Sequence, residues 1–223
     1  KELKIMIITI GSHKGGTGKS TLAVNLAVIY QRAGRRVIVI EADPSVSTSS
    51  MWAARREAHD DLAPVTVLRK TGGLNVTLEG LEQAYDLVLV DTAGKDSAEL
   101  RTAALVSDVL VIPTNADNPD LDSTSEFLAR MDEARIINPA LKMLVVITRA
   151  PTHAKSKHRD VAIAALEDNP EEFALADAVI FNRRIYPDAL KEGRGVVEQR
   201  ARTEQASEEM QALASEILDY AGA

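Results

Sequence analysis

The chain has 223 residues, 45% of them apolar and 26% charged, a globular composition with room for one sizeable core, so a single domain over residues 1–223 is expected. It contains no cysteine, which excludes disulfides, thiolate zinc sites and cysteine-ligated iron–sulfur clusters and fits a cytoplasmic location. With 26 basic against 33 acidic side chains the net charge is −7, so contact with nucleic acid or anionic lipid requires a local basic patch that overrides the average.

The apolar run at the start of the chain stops after about six residues at Gly11, too short for a signal sequence or a membrane span. It reads as a buried strand, Leu3 to Ile10. A glycine-rich loop, Ser12 to Gly18, follows, and then a helix from Lys19 to Gln31 that is apolar nearly all round (Leu22, Val24, Leu26, Val28, Ile29) and closes at Gly34. Further Val/Ile/Leu runs at Arg36 to Glu41, Pro64 to Leu68, Tyr85 to Asp91, Asp108 to Ile112 and Leu141 to Thr148 predict strands covered on both faces. Helical spacing returns in Asp120 to Ile137 and in Thr203 to Tyr220. The latter lines Ala206, Met210, Leu213 and Ile217 on one face, with Glu204, Glu208, Glu209 and Glu216 in an acidic remainder. No repeat or linker divides the chain. The expected architecture is α/β, a doubly wound and mostly parallel sheet flanked by helices, with ligands at the carboxyl ends of its strands.

Strand, glycine loop and helix in this order form the context of a phosphate-binding loop, Lys14-Gly15-Gly16-Thr17-Gly18-Lys19-Ser20. Gly15, Gly16 and Gly18 let the backbone curl so that successive N–H groups, through Thr17, Ser20 and Thr21 at the helix start, point at phosphate oxygens. Lys19 bridges the terminal phosphates of ATP and the Ser20 hydroxyl is placed to ligate Mg2+. A hydrophobic strand ending in Asp91 supplies the carboxylate that holds the metal, partly through its water shell.

The general phosphate-loop pattern has glycine where this chain has His13, and the loop begins instead with an additional lysine, Lys14. That deviant Walker A loop resembles the ParA/MinD group of ATPases. The resemblance implies that two subunits close on two Mg-ATP molecules, with Lys14 of each acting on the other's phosphates, and a slow hydrolysis in which Lys14, Lys19 and Asp43 are the catalytic residues. It identifies Asp43, in Glu41-Ala42-Asp43-Pro44, with the aspartate that positions the attacking water and, with Ser20 and Asp91, attends the metal. A turn or helix-capping aspartate is the alternative for Asp43, and Glu41 receives no role. Residues Pro44 to Trp52 and Thr92 to Ser97 would be the two switches, with Trp52 a packing residue. In the loop Pro113 to Asp120, Asp117 or Asn118 either touches ligand or partner or caps the helix that follows.

The resemblance is closest to a small partition ATPase without an N-terminal helix-turn-helix module. It implies non-specific binding to double-stranded DNA through Lys155, Lys157, Arg183 and Arg184, release by a centromere-binding or cargo adaptor protein that stimulates hydrolysis, and a nucleoid-associated location. Acidic residues from Asp160 to Asp177 interrupt this region, so a solvated face is the alternative. The acidic C-terminal segment argues against a membrane-bound member of the group. Positioning of a non-DNA cargo, and a metabolic phosphotransferase or ligase, are the alternative functions. Thr148 and Arg149 are placed where the base could be read.

Overall fold

The computed structural model describes residues 5–81, 83–115, 118–152, 160, 173–199 and 204–222. Its strands are β1 (Met6–Ile10), β2 (Val37–Glu41), β3 (Thr66–Arg69), β4 (Leu87–Asp91), β5 (Val109–Thr114), β6 (Lys142–Ile147) and β7 (Ala174–Leu175). The helices are α1 (Lys19–Arg32), α2 (Thr48–Arg56), α3 (Asn75–Glu79), α4 (Ala98–Ala104), α5 (Asn118–Ile137), α6 (Ile185–Lys191) and α7 (Glu204–Ala221). A 3-10 turn covers Val196–Glu198. The strands form one seven-stranded sheet in the order β3-β2-β4-β1-β5-β6-β7, with every pairing parallel.

The central strands carry the alternation that a two-faced sheet requires. Ile8 and Ile10 of β1, Val39 of β2 and Leu89 of β4 pack with Leu22, Leu26, Met210, Leu213 and Ile217, so α1 and α7 cover one face. Ile7, Ile40 and Val90 point the other way, onto Leu74, Leu78 and Ala103, and further along that face Leu110, Ile112 and Val145 meet Phe127, Leu128 and Met131 of α5. The sheet order changes direction at β1, where β4 lies on one side and β5 on the other, and this is the crevice at which doubly wound folds take their ligands.

One expectation needs correction. The strand read at Pro64 to Leu68 is Thr66–Arg69 and is largely exposed, because β3 is the sheet edge rather than an internal strand. The last helix is docked through its acidic side as well: Glu216 accepts the N–H groups of Asp177 (2.7 Å) and Ala178 (3.0 Å), and Glu209 binds Arg183. The first proposed switch contains the start of α2, whose inner face is Ser49, Trp52 and Arg56. Trp52 is fully buried and donates Nε1–H to the carbonyl of Arg194 (3.1 Å), in keeping with a packing residue. Arg56, 1% exposed, forms a buried bidentate pair with Glu198 at 2.7 Å on each arm, which fixes the far end of α2 to the 3-10 turn. Among the described residues no helix is long and apolar enough to cross a membrane.

Candidate nucleotide site

The loop between β1 and α1 opens on a cavity of about 660 Å³, bordered by Gly15, Gly16, Gly18 and Ser20 on one side. Gly16 and Gly18 have φ of 80° and 92°, left-handed values that a side chain would resist, and the Cβ position of Gly18 meets nothing within 4 Å. Gly18 is also the N-cap of α1; it has no capping side chain and the first turn contains no acidic residue. The first amides of a 14-residue helix therefore keep their partial positive charge for a ligand in the cavity.

The loop is braced from within. Ser12 Oγ donates to Lys14 O (2.9 Å) and pairs with Thr17 Oγ1 (2.9 Å), while Lys19 Nζ donates to Ser12 Oγ (3.0 Å) and Lys14 O (2.8 Å). Lys19 is 7% exposed, and burial holds its pKa below the usual lysine value against the opposing pull of Asp91 and Asp43. Thr148, which borders the cavity, donates its Oγ1–H to Thr17 O (2.8 Å) and so fastens the loop to the end of β6.

Asp91 ends β4 directly opposite Glu41 of β2, and both carboxylates are buried. Asp91 Oδ2 accepts Ser49 Oγ–H at 2.8 Å and the Ser20 hydroxyl lies close enough to favour the ionised carboxylate, but Oδ1 is buried with no hydrogen-bond partner. Burial pushes the Asp91 pKa up to about 6, helped by the charge of Glu41 and opposed by Ser49, Ser20 and Lys19. An orphaned buried carboxylate oxygen beside a serine hydroxyl fits a divalent cation. No group of three or more His, Cys, Asp or Glu side chains that could hold a metal occurs among the described residues, so the remaining ligands would be water and phosphate, as Mg2+ prefers.

Glu41 has a different task. Its Oε1 accepts the N–H groups of Ser49 (2.7 Å) and Ser50 (3.3 Å), its Oε2 accepts the Ser50 hydroxyl, and Arg69 lies 3.5 Å away. The longer side chain reaches from β2 to the start of α2 and anchors it. Asp43 borders the cavity, yet its Oδ1 accepts the N–H (2.8 Å) and hydroxyl (2.6 Å) of Ser45, so the turn-forming alternative is the one its hydrogen bonds realise.

Lys14 does not border this cavity. Its ammonium group pairs with Asp120 on α5, beside a shallow groove that also takes in His13. Reaching the phosphates of another subunit requires Lys14 to leave that carboxylate. Arg183 is 24% exposed, pairs with Glu209 at 2.7 Å and stands in the cavity wall with Phe181, Tyr186 and Leu190. Its charge is neutralised at home, whereas Arg184 is 92% exposed and meets Asp188 at 3.4 Å. Lys155, Lys157 and Ala116–Asp117 lie outside the described residues, as does the side chain of Asn118.

Sequence reasoning missed Ser49, Asp120 and the wall from Ile180 to Leu190. The wall is far from the loop along the chain and no local spacing announces it. The approach of Gly94 to the loop was also unannounced: a Cβ there would lie 2.5 Å from Gly15 Cα and 2.6 Å from Gly15 N. Gly94→Ala must push the second switch off the phosphate loop. Overpacking of this kind costs ~1–3 kcal/mol, so Mg-ADP affinity is expected to fall roughly tenfold in a fluorescence titration, with circular dichroism unchanged.

Residues 8–196 match the CobQ/CobB/MinD/ParA nucleotide binding domain. The chromosome-partitioning ATPase Soj of Thermus thermophilus is 28% identical over 172 residues, 65% of this chain and 69% of Soj. The maintenance of carboxysome distribution protein A of Halothiobacillus neapolitanus is 24% identical over 219 residues, 96% of this chain and 97% of that protein. In three dimensions the chain resembles the septum site-determining protein MinD of Pyrococcus horikoshii complexed with Mg-ADP, with a TM-score of 0.75, 20% identity and 96% of each chain covered.

Proposed function

The chain belongs to the CobQ/CobB/MinD/ParA nucleotide binding family, and on that premise we propose that it is an ATP-dependent partition ATPase working on the bacterial nucleoid in the cytoplasm. The observation that carries the reading is the braced phosphate loop: Gly18, Lys19 and Ser20 at the uncapped start of α1 border one cavity, and Asp91, with an orphaned buried oxygen, lies close to Ser20. These residues would hold ATP and Mg2+. Asp91 and Ser20 would hold the ion, which would supply neutralisation of the phosphate charge.

Main-chain N–H groups from Gly15 to Thr21 bind and orient the phosphates, and Lys19 exchanges its bonds to Ser12 and Lys14 O for phosphate oxygens. Asp43 lies where a water attacking the terminal phosphate could be oriented once the Ser45 bonds rearrange. Lys14, released from Asp120, acts across a dimer interface, so ATP favours the dimer and hydrolysis dissolves it. The dimer binds double-stranded DNA through Arg184 and the Lys155–Lys157 region, and a centromere-binding or cargo adaptor protein stimulates hydrolysis to release it.

Binding to unrelated duplexes with ATP, ADP or no nucleotide, at low and moderate salt, tests this. ATP is expected to raise affinity at least ~10-fold over ADP at low salt, with the gain shrinking as salt rises and lost in Lys14→Ala. Equal affinity in all nucleotide states would refute the partition reading. The similarity to the carboxysome-distribution protein runs over 96% of the chain, against 65% for Soj, and favours a second reading in which the cargo is not DNA. In that case the same ATP-dependent hold on DNA serves as the track and the adaptor belongs to a different particle.

A further inference from the structure

Beyond Ile147 the chain is fixed on both sides of one residue. Thr148 donates its N–H to Thr114 O (2.8 Å) and its hydroxyl to Thr17 O (2.8 Å). Ala150 donates to Ile180 O (3.2 Å) and accepts from Asn182 N (2.8 Å). Between them Arg149 takes a φ of 54°, the single non-glycine residue with positive φ among those described. L side chains adopt that region rarely, and it persists where flanking bonds over-determine it.

The turn places Arg149 over the phosphate loop from the opposite wall. A Cβ built on Gly16 would lie 3.6 Å from an Arg149 guanidinium nitrogen, and Arg149 borders the cavity. Three other cations nearby are engaged: Lys19 by Ser12 and Lys14 O, Lys14 by Asp120, Arg183 by Glu209. Among the described residues the Arg149 guanidinium has no carboxylate or hydrogen-bond partner. Lys95 also borders the cavity, on the second switch, without comparable backbone fixing.

We propose that Arg149 is a phosphate-positioning residue that closes on the diphosphate of the bound nucleotide from within the same chain, opposite the loop amides. The assignment rests on the nucleotide reading and goes beyond it by giving the phosphates a second, side-chain wall. Arginine suits the place because its planar fork binds two phosphate oxygens at once, and a backbone held in a rarely used conformation keeps the fork aimed before the ligand arrives.

Arg149→Gly is the discriminating variant, because glycine accepts a φ of 54° without strain and the variant should match or exceed the wild type in melting temperature without ligand. Its affinity for Mg-ADP and Mg-ATP is expected to fall roughly tenfold, while adenosine binds within about twofold of the wild type. Arg149→Lys should lie between. An unchanged Mg-ADP affinity in Arg149→Gly would overturn the assignment, as would an equal loss for adenosine, which would place the guanidinium on the base. A wild type that binds no Mg-ADP would overturn the nucleotide reading and this assignment together.

Discussion

Lys19→Ala is expected to melt at nearly the wild-type temperature without ligand and to show no stabilisation by Mg-ADP or Mg-ATP at concentrations that saturate the wild type. Lys19 Nζ holds the loop closed through Ser12 Oγ and Lys14 O, but it does so as a buried cation whose desolvation opposes the gain. The two terms nearly cancel, so apo stability should change by about 1 kcal/mol or less. On the proposed site the same ammonium would meet phosphate oxygens with nucleotide bound, and losing two charge-assisted bonds at ~1.5–3 kcal/mol each should lower affinity on the order of 10³-fold. Ligand stabilisation follows the ratio of ligand concentration to Kd, so it vanishes from a thermal scan. A variant that kept its ligand-induced shift would place the phosphates elsewhere.

Asp91→Asn should separate stability from function in opposite directions. The Asp91 pKa stands at about 6 against an ordinary 3.8, chiefly because the carboxyl is buried, so the folded apo protein favours its protonated form. That contribution is fully present below the unfolded value and is lost as pH rises through about 6. The ionised carboxylate therefore costs the apo protein on the order of 3 kcal/mol at neutral pH. Asparagine keeps the shape and removes the charge, so Asp91→Asn should be more stable than the wild type at pH 7.5 by on the order of 1–3 kcal/mol. The gap should close as pH falls toward 4, which denaturant melts across that range would record. Mg2+-dependent turnover should meanwhile fall roughly 10²-fold or more, the scale on which a single preorganised electrostatic contact acts. A variant less stable than the wild type at pH 7.5 would show that ionised Asp91 is well satisfied without a cation. On the proposed site, Mg2+ would compete with the proton for this carboxylate, so Mg-ADP binding should weaken below about pH 6.

The sheet was readable because strands covered on both faces need uninterrupted Val/Ile/Leu runs, and β1, β2, β4, β5 and β6 have them. β3 misled because a short apolar run at a sheet edge looks the same as one in the middle. The phosphate loop was legible from local spacing, since strand, glycines and helix follow one another without a gap. What belongs to long-range pairing was not. That α2 ties Glu41, Asp91 and Glu198 together depends on which strand ends lie side by side, and sequence order does not state this. Arg183 read as a surface cation because its partner, Glu209, is 26 residues away on a helix that periodicity alone presents as amphipathic. Sequence marks Arg149 only as a residue near the base, because its aim over the phosphate loop depends on a backbone angle that no local spacing states.

The nucleotide site itself is tested most directly by a crystal structure of the protein grown with Mg-ADP. The diphosphate should lie within hydrogen-bonding distance of the main-chain N–H groups of Gly16 to Ser20, with Lys19 Nζ turned from Lys14 O to the phosphates. The ion should sit between the Ser20 hydroxyl and the Asp91 carboxylate. Nucleotide density anywhere other than against this loop, with Lys19 still bonded to Ser12 and Lys14 O, would contradict the account.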